Sequence, residues 1–140
     1  TACNVPYSVK TVRLFACVNI LFTSSGGSLA MMQPFDYMIS VMSNLNVQSQ
    51  ISAELLVEGN NHLTDKTLVF MASKSGDTKE TVAAAKYVKE KGATIVSVLG
   101  VDNSPMGELS DYSSTSPKRL LIGATNNIER HIIVIYAALL

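Results

Sequence analysis

Residues 67–100, TLVFMASKSGDTKETVAAAKYVKEKGATIVSVLG, contain two apolar segments separated by a polar loop and an amphipathic stretch. The apolar segments are 67–72 (TLVFMA) and 94–99 (TIVSVL). Both lack the alternation of apolar and polar residues that a half-exposed strand shows, so they are predicted to be strands buried on both faces. Strands of this kind, joined through a helix, are typical of a parallel sheet with helices packed on it. This stretch therefore predicts an α/β fold.

The amphipathic stretch between the two strands is predicted to be a helix. Asp77 or Thr78 can cap its start, and Asp77 and Glu80 have the spacing of a capping box. Gly92 follows the last lysines and is suited to a helix C-terminus. The apolar residues on one face of this helix recur at helical spacing, at Val82, Ala85 and Val88.

The N-terminal half repeats the same order of strand, loop and helix. Residues 12–22 (VRLFACVNILF) form an apolar run, residues 23–28 (TSSGGS) form a loop, and residues 29–42 have helical spacing. Pro34 is expected to kink this helix or to end its first two turns. Shorter elements are predicted as a strand at 44–48, a helix or turn at 51–58, a helix beginning at Pro105, a strand at 111–113, and a helix or strand at 128–140.

The composition excludes several classes of protein. Eleven basic residues balance eleven acidic ones, and charged residues make up only 16% of the chain, against about 25% in an average soluble domain. A neutral, apolar chain of 140 residues is neither disordered nor a binder of nucleic acid through phosphate neutralisation. The longest apolar run, residues 132–140, is too short to span a membrane. The low charge suggests that part of the surface is covered by a partner.

The chain is expected to be a single domain over residues 1–140, with residues 1–10 as an N-terminal extension. No cleavable signal pattern is recognisable, so the expected location is the cytoplasm. Cys3 and Cys17 lack the spacing of a metal site or a disulfide framework and are interpreted as buried or incidental thiols. No metal site and no cofactor are predicted.

Two loops carry the candidate chemistry, residues 73–78 (SKSGDT) and residues 24–28 (SSGGS). Each follows a predicted strand and precedes a helix, whose N-terminus offers unpaired N–H groups to an anion. Gly76 lets the backbone approach a ligand closely, and Lys74 can supply a positive charge. Ser, Gly and Asp are also what an ordinary turn and N-cap require, so each loop alone is ambiguous. Two such loops at one sheet edge predict a phosphate cradle.

The same loops carry a resemblance to a known family. ASKSGDTKET (72–81) resembles the S-x-S-G-x-T signature loop of the SIS (sugar isomerase) domain, and SSGGSLA (24–30) resembles its other loop. SAELL (52–56) lies where the family often has a Ser-Glu-aromatic element. The sequences of these loops are similar to those in the first SIS domain of fructosamine-6-phosphate deglycases and of the isomerase half of glucosamine-6-phosphate synthase. The resemblance implies a three-layer, flavodoxin-like or Rossmann-like sandwich around a five-stranded, mainly parallel sheet, with a phosphorylated sugar as ligand.

Site residues follow from the resemblance by position. It implies that hydroxyl groups and backbone amides bind the sugar phosphate, with the loop glycines and Lys74 completing the site. The residues concerned are Ser28, Ser73, Ser75, Thr78, Gly26, Gly27, Gly76 and Lys74.

Isomerisation and deglycation both need a base that moves a proton between two sugar carbons. Glu54 and Glu129 are the candidate catalytic residues, and Glu58, His62 and His131 are weaker ones. The resemblance implies that catalytic groups come from later in the chain or from a partner subunit.

The preferred interpretation is the phosphosugar-binding domain of an aminosugar or fructosamine 6-phosphate isomerase or deglycase, acting as a homodimer or with a second SIS domain. The alternatives are a non-catalytic SIS module that senses a sugar phosphate, and a truncated or engineered domain without activity. The covered surface is expected to include the terminal helix and the first helix, through Met31, Met32, Phe35, Tyr37 and Met38.

Overall fold

The computed structural model describes residues 17–101 and 103–115. Strands and helices alternate strictly along this part of the chain, as the repeated apolar segments predict. The strands are β1 (Asn19–Ser24), β2 (Asn46–Ile51), β3 (Thr67–Ser73), β4 (Thr94–Leu99) and β5 (Tyr112–Thr115), and the helices are α1 (Gly27–Met42), α2 (Ser52–Glu58), α3 (Lys79–Glu90) and α4 (Pro105–Leu109).

The five strands form one parallel sheet in the order β2-β1-β3-β4-β5. The central pairs are in close register, with Leu21 opposite Val69 and Val69 opposite Ile95. The predicted α/β fold with a five-stranded parallel sheet is therefore confirmed. From β1 the chain adds β2 toward one side of the sheet, and from β3 it adds β4 and β5 toward the other side. The strand order therefore reverses between β1 and β3.

The sheet has a hydrophobic core on each face, because its central strands are mostly apolar and are buried on both faces. One core joins alternate residues of β1, β3 and β4 to α2, α3 and α4, with Leu55, Val88 and Met106 fully buried. The other lies beneath α1, where the rings of Phe22 and Phe70 stack with centroids 5.2 Å apart. Because both faces of the sheet are covered by helices, the fold has three layers, with the sheet in the middle.

The strand boundaries differ from those predicted at the sheet's carboxyl edge. The strand expected over 12–22 occupies Asn19–Ser24 within the described residues, and that expected over 44–48 occupies Asn46–Ile51. Polar residues extend β1 because their hydroxyls have partners inside the fold. The Thr23 hydroxyl lies 3.3 Å from the Ser52 hydroxyl, and Ser24 Oγ donates to the Ala72 carbonyl.

The first helix is continuous across Pro34, so the prediction that the helix could end there is wrong. Met32 and Phe35, which were expected to face a partner, are instead buried against the molecule's own sheet. They occupy the helical positions that repeat from Leu29, which is the face α1 turns to β1 and β3. Met31, Tyr37 and Met38 are exposed, as that expectation requires.

The caps of the later helices are partly as predicted. Gly92 follows α3 with φ +79°, and its N–H donates to the Lys89 carbonyl at 3.0 Å, which confirms the glycine stop. The capping box is wrong, because α3 begins after Thr78 and no side chain bonds its N-terminal amides. Pro105 opens α4 behind Ser104, whose hydroxyl accepts a hydrogen bond from the Gly107 N–H.

No helix in the part of the chain that the structure describes is long and apolar enough to cross a membrane. Several predictions fall outside the described residues. These concern Cys3, residues 1–10, the terminal segment 128–140, Glu129 and His131.

Candidate functional site

A cleft of about 430 Å³ opens at the carboxyl edge of the sheet, beside the ends of β1 and β3. In a parallel sheet, the two loops that leave neighbouring strands in opposite directions separate from each other and leave a crevice between them. The reversal between β1 and β3 therefore creates the cleft.

Hydroxyl groups dominate the lining of this cleft. Seven of its ten lining residues are serine or threonine from the two loops and the start of α3, and Lys74 is its one charged member among the described residues. The lining residues are Ser24, Ser25, Ser28, Ala72, Ser73, Lys74, Ser75, Thr78, Thr81 and Val101.

The loop after β1 is held by side-chain hydrogen bonds. Ser24 Oγ donates to the Ala72 carbonyl and ties the end of β1 to β3. The hydroxyls of Ser25 and Thr81 lie 3.1 Å apart and connect this loop to α3. Gly26 then turns the chain into α1 with φ +56°, a conformation in which a side chain would be strained.

The loop after β3 folds back on itself. The Ser73 hydroxyl accepts a hydrogen bond from the Gly76 N–H at 3.0 Å and lies 3.5 Å from the Thr78 hydroxyl. Gly76 has φ +71°, and its Cα faces Ser104 so closely that a methyl group there would overlap that serine. The loop therefore turns sharply, which leaves Ser75 exposed.

The N-termini of α1 and α3 both border this cleft, and neither has a side-chain cap. The first amides of a helix have no partner inside the helix, and the helix dipole is positive there. Two uncapped helix starts surrounded by neutral hydroxyls form a donor-rich environment suited to an anion.

A family model for the SIS domain matches residues 13–140. The chain belongs to the SIS domain family.

This SIS domain is similar to longer enzymes. Fructosamine deglycase FrlB of Bacillus subtilis is 33% identical over 95 residues, which are 67% of this chain and 29% of FrlB. The isomerizing glutamine–fructose-6-phosphate aminotransferase of Methanococcus maripaludis is 32% identical over 123 residues, or 86% of this chain and 20% of that enzyme. The chain thus spans less than a third of the length of these relatives.

Solved structures share the architecture. A Bacillus subtilis protein assigned as a phosphosugar isomerase matches with a TM-score of 0.80 at 27% identity, over 89% of this chain and 38% of its own. The C-terminal domain of glucosamine–fructose-6-phosphate aminotransferase from Francisella tularensis matches with a TM-score of 0.69 at 20% identity, over 83% of this chain and 33% of its own, and supports the fold.

The structure brings five of the residues expected at the phosphate together in the lining of the cleft. They are Ser28, Ser73, Lys74, Ser75 and Thr78. Gly26, Gly27 and Gly76 lie in the same two loops but do not line it. Gly27, the first residue of α1, has open space where a side chain would stand, so no steric requirement explains this glycine.

Five residues of the lining were not proposed as site residues from the sequence: Ser24, Ser25, Ala72, Thr81 and Val101. Ser24 and Ser25 belong to the loop 24–28 and could have been predicted as site residues with Ser28. Thr81 lies in the first turn of α3, one helical turn after Thr78. Val101 follows β4, which neighbours β3, and only the strand order of the folded sheet reveals that proximity.

The candidate catalytic residues within the described ranges are not in the cleft. Glu54 is exposed in the first turn of α2, after β2, and does not line it. Glu58 ends α2, and His62 precedes β3, so both lie toward the amino edge of the sheet, opposite the cleft. No histidine or carboxylate from the described ranges lines the cleft.

No group of three or more His, Cys, Asp or Glu within residues 17–101 and 103–115 could hold a metal ion. Cys17 is a free, half-buried thiol before β1. Burial raises the pKa of the Cys17 thiol, which favours the unreactive protonated form.

Proposed function

We propose that this SIS domain binds a phosphorylated sugar, with the phosphate held between the loops after β1 and β3. One observation carries the proposal: the cleft between β1 and β3 is lined by seven hydroxyl-bearing residues and bordered by two uncapped helix N-termini. Hydrogen bonds from such donors to a phosphate are charge-assisted and stronger than those between neutral groups. The relationship to enzymes named for fructosamine and fructose 6-phosphate supports a sugar phosphate as the ligand.

The domain is proposed to serve an aminosugar or fructosamine 6-phosphate isomerase or deglycase, as part of a larger catalytic assembly. The described lining offers no carboxylate or imidazole to move a proton between sugar carbons. The base must therefore come from outside these residues, from Glu129, from a second SIS domain or from a partner subunit. Glu54 remains a candidate only toward a partner, because its side chain is exposed and outside the cleft.

The same lining supports an alternative, a non-catalytic module that senses a sugar phosphate. Turnover distinguishes the two functions. The purified protein is incubated with fructose 6-phosphate or a fructosamine 6-phosphate, and products are followed by NMR. Product formation supports the enzyme, whereas binding without turnover by a well-folded dimer supports the sensor or a domain without activity.

Ser75 and Thr78 provide the direct test of the phosphate site. Both line the cleft, and no backbone group in the described fold is hydrogen-bonded to either hydroxyl. The double variant Ser75→Ala/Thr78→Ala should bind fructose 6-phosphate about tenfold or more weakly, since it loses two hydrogen bonds to a charged group. Isothermal titration calorimetry measures the affinity, and the melting temperature should change little.

Ser40→Ala is the matched control, because the Ser40 hydroxyl is exposed on α1 and bonds only the Tyr37 carbonyl. This variant should bind as the unmodified protein does. Equal affinity of the double variant and the control would overturn the phosphate assignment.

The exposed face of α1 supports a second SIS domain or a second copy as partner. The cytoplasmic location expected from the sequence stays a prediction.

A further inference from the structure

The loop between β4 and α4 is hydrogen-bonded to the loop after β3 and packs against it. The Gly100 N–H donates to the Ser73 carbonyl at 3.1 Å, and the Met106 N–H donates to the Gly76 carbonyl, also at 3.1 Å. Between these two bonds, Ser104 packs directly against Gly76. The anion loop 73–78 is thus fixed at both ends of its turn by residues that follow the next strand.

Of the residues in this loop, Gly100 lies closest to the backbone of the anion loop. A methyl group at Gly100 would overlap the Lys74 carbonyl oxygen and lie 3.2 Å from the Lys74 carbonyl carbon. Gly100 is not one of the glycines with positive φ, so an alanine there would be free of backbone strain. The requirement for glycine at this position is therefore one of space, and the atoms that would have to move are backbone atoms of the anion loop.

Lys74 lies between Ser73 and Ser75, and all three residues line the cleft. A displacement of the Lys74 peptide would shift the hydroxyls on both sides of it. Gly100 itself does not line the cleft, so it would act on an anion only through its neighbours. These are the Lys74 peptide that it faces and Val101, which follows it and lines the cleft.

We propose that Gly100 is a positioning residue for the anion site: its missing side chain lets the β4–α4 loop hold loop 73–78 in the conformation that binds phosphate. This inference rests on the proposed phosphate site. It assigns a role in binding to a residue that does not itself line the cleft.

Gly100→Ala tests the role. Misalignment that removes one hydrogen bond to a charged group lowers affinity about tenfold or more, so the variant should bind inorganic phosphate and fructose 6-phosphate at least about tenfold more weakly. Calorimetry gives both affinities well below the melting temperature. In ¹H–¹⁵N NMR spectra of the ligand-free variant, the amide signals of Ser75 and Gly76 should move, while that of Val88 in α3 should not.

Gly107→Ala is the matched control within the same region. A methyl group there would meet only side-chain atoms, 3.4 Å from Leu99 Cδ1 and 3.5 Å from Ser104 Oγ. This control should keep the phosphate affinity of the unmodified protein. A merely structural role for Gly100 would lower the melting temperature and leave the affinity and the loop signals of the folded protein unchanged, which would overturn the inference.

A second measurement uses the unmodified protein and does not depend on the folding of a variant. Phosphate should shift the amide signals of Gly100 and Met106, which donate to the anion loop, but not that of Gly92 at the far end of α3. If phosphate binds and these two signals stay in place, the positioning role is wrong while the phosphate site stands. If phosphate does not bind the unmodified protein, the proposed function itself fails.

Discussion

Ser73 and Ser75 lie two residues apart in one loop, but their hydroxyls have different surroundings. Ser73 is buried, and its hydroxyl accepts the hydrogen bond of the buried Gly76 N–H. Ser75 is exposed at the mouth of the cleft. The resemblance to the family gave both the same role, whereas the folded loop gives Ser73 an additional structural one.

Ser73→Ala should therefore destabilise the fold as well as the site. It leaves the Gly76 N–H buried without an acceptor, which costs about 1–3 kcal/mol. The free energy of unfolding in urea should fall by that amount. Ser75→Ala, the control, should leave it within about 0.5 kcal/mol of the unmodified value. Equal unfolding free energies for the two variants would contradict the structural role of Ser73.

At the scale of elements, α1 contains an unfavourable residue that nothing in the described structure compensates. Pro34 lies in the eighth position of the helix and cannot donate the usual hydrogen bond to the Ala30 carbonyl. A proline in a helix interior costs about 3 kcal/mol relative to alanine. Its side chain is exposed, so packing does not require it.

Pro34→Ala should raise the free energy of unfolding by about 1–3 kcal/mol, measured by urea denaturation. The neighbouring exposed residue provides the control, because Gln33→Ala should change the unfolding free energy by less than about 0.5 kcal/mol. A Pro34→Ala variant no more stable than the control would show that the backbone of α1 is already shaped to the proline.

The elements also show which parts of the fold were predictable. β3 and β4 were assigned almost to the residue, because every side chain in them is buried and apolarity alone marks such strands. β2 was misplaced by two to three residues. Its Gln48 and Gln50 are satisfied by Asn60, at 3.0 and 3.1 Å, and no local pattern reveals a partner that far along the chain.

About as much of the candidate site as of the fold could be predicted from the sequence. The two loops and five of their lining residues follow from hydroxyls and glycines placed between strand and helix. The bracing by Gly100 and the positions of Thr81 and Val101 depend on which strands become neighbours, so they required the folded sheet. The capping box of Asp77 and Glu80 failed because α3 begins after Thr78. Thr78 does not cap the amides of α3 either, and its hydroxyl lies beside that of Ser73.

For the whole molecule, α1 accounts for part of the low charge of the sequence. Its one charged residue, Asp36, accepts a hydrogen bond from the Ser49 hydroxyl at 2.7 Å. Apolar side chains remain exposed along the rest of the helix, including Tyr37 at 72%, Val41 at 66% and Met42 at 76%. An exposed apolar surface of this kind supports the proposed contact with a second copy or a second SIS domain.

Glutamate at two exposed apolar positions of α1 should disrupt self-association. Met38→Glu/Met42→Glu should raise the dissociation constant of the dimer about tenfold or more, because buried unpaired charges are costly at an interface. Sedimentation velocity over a concentration series measures it. Val57→Glu, which changes an exposed valine on α2, should leave association unchanged. A monomer at every concentration of the unmodified protein would exclude the homodimer and leave a different chain as partner.

The hydroxyl-lined cleft also determines how a ligand arrives. Hydroxyls and helix ends act over a few ångströms, whereas charges act over a Debye length of about 8 Å at physiological salt. The described cleft has Lys74 as its one charged lining residue, in a chain of zero net charge. The proposed phosphosugar ligand should therefore not be drawn in from a distance, and its association rate should be set by unguided diffusion and vary little with salt. Selection occurs after contact, in how long a ligand stays.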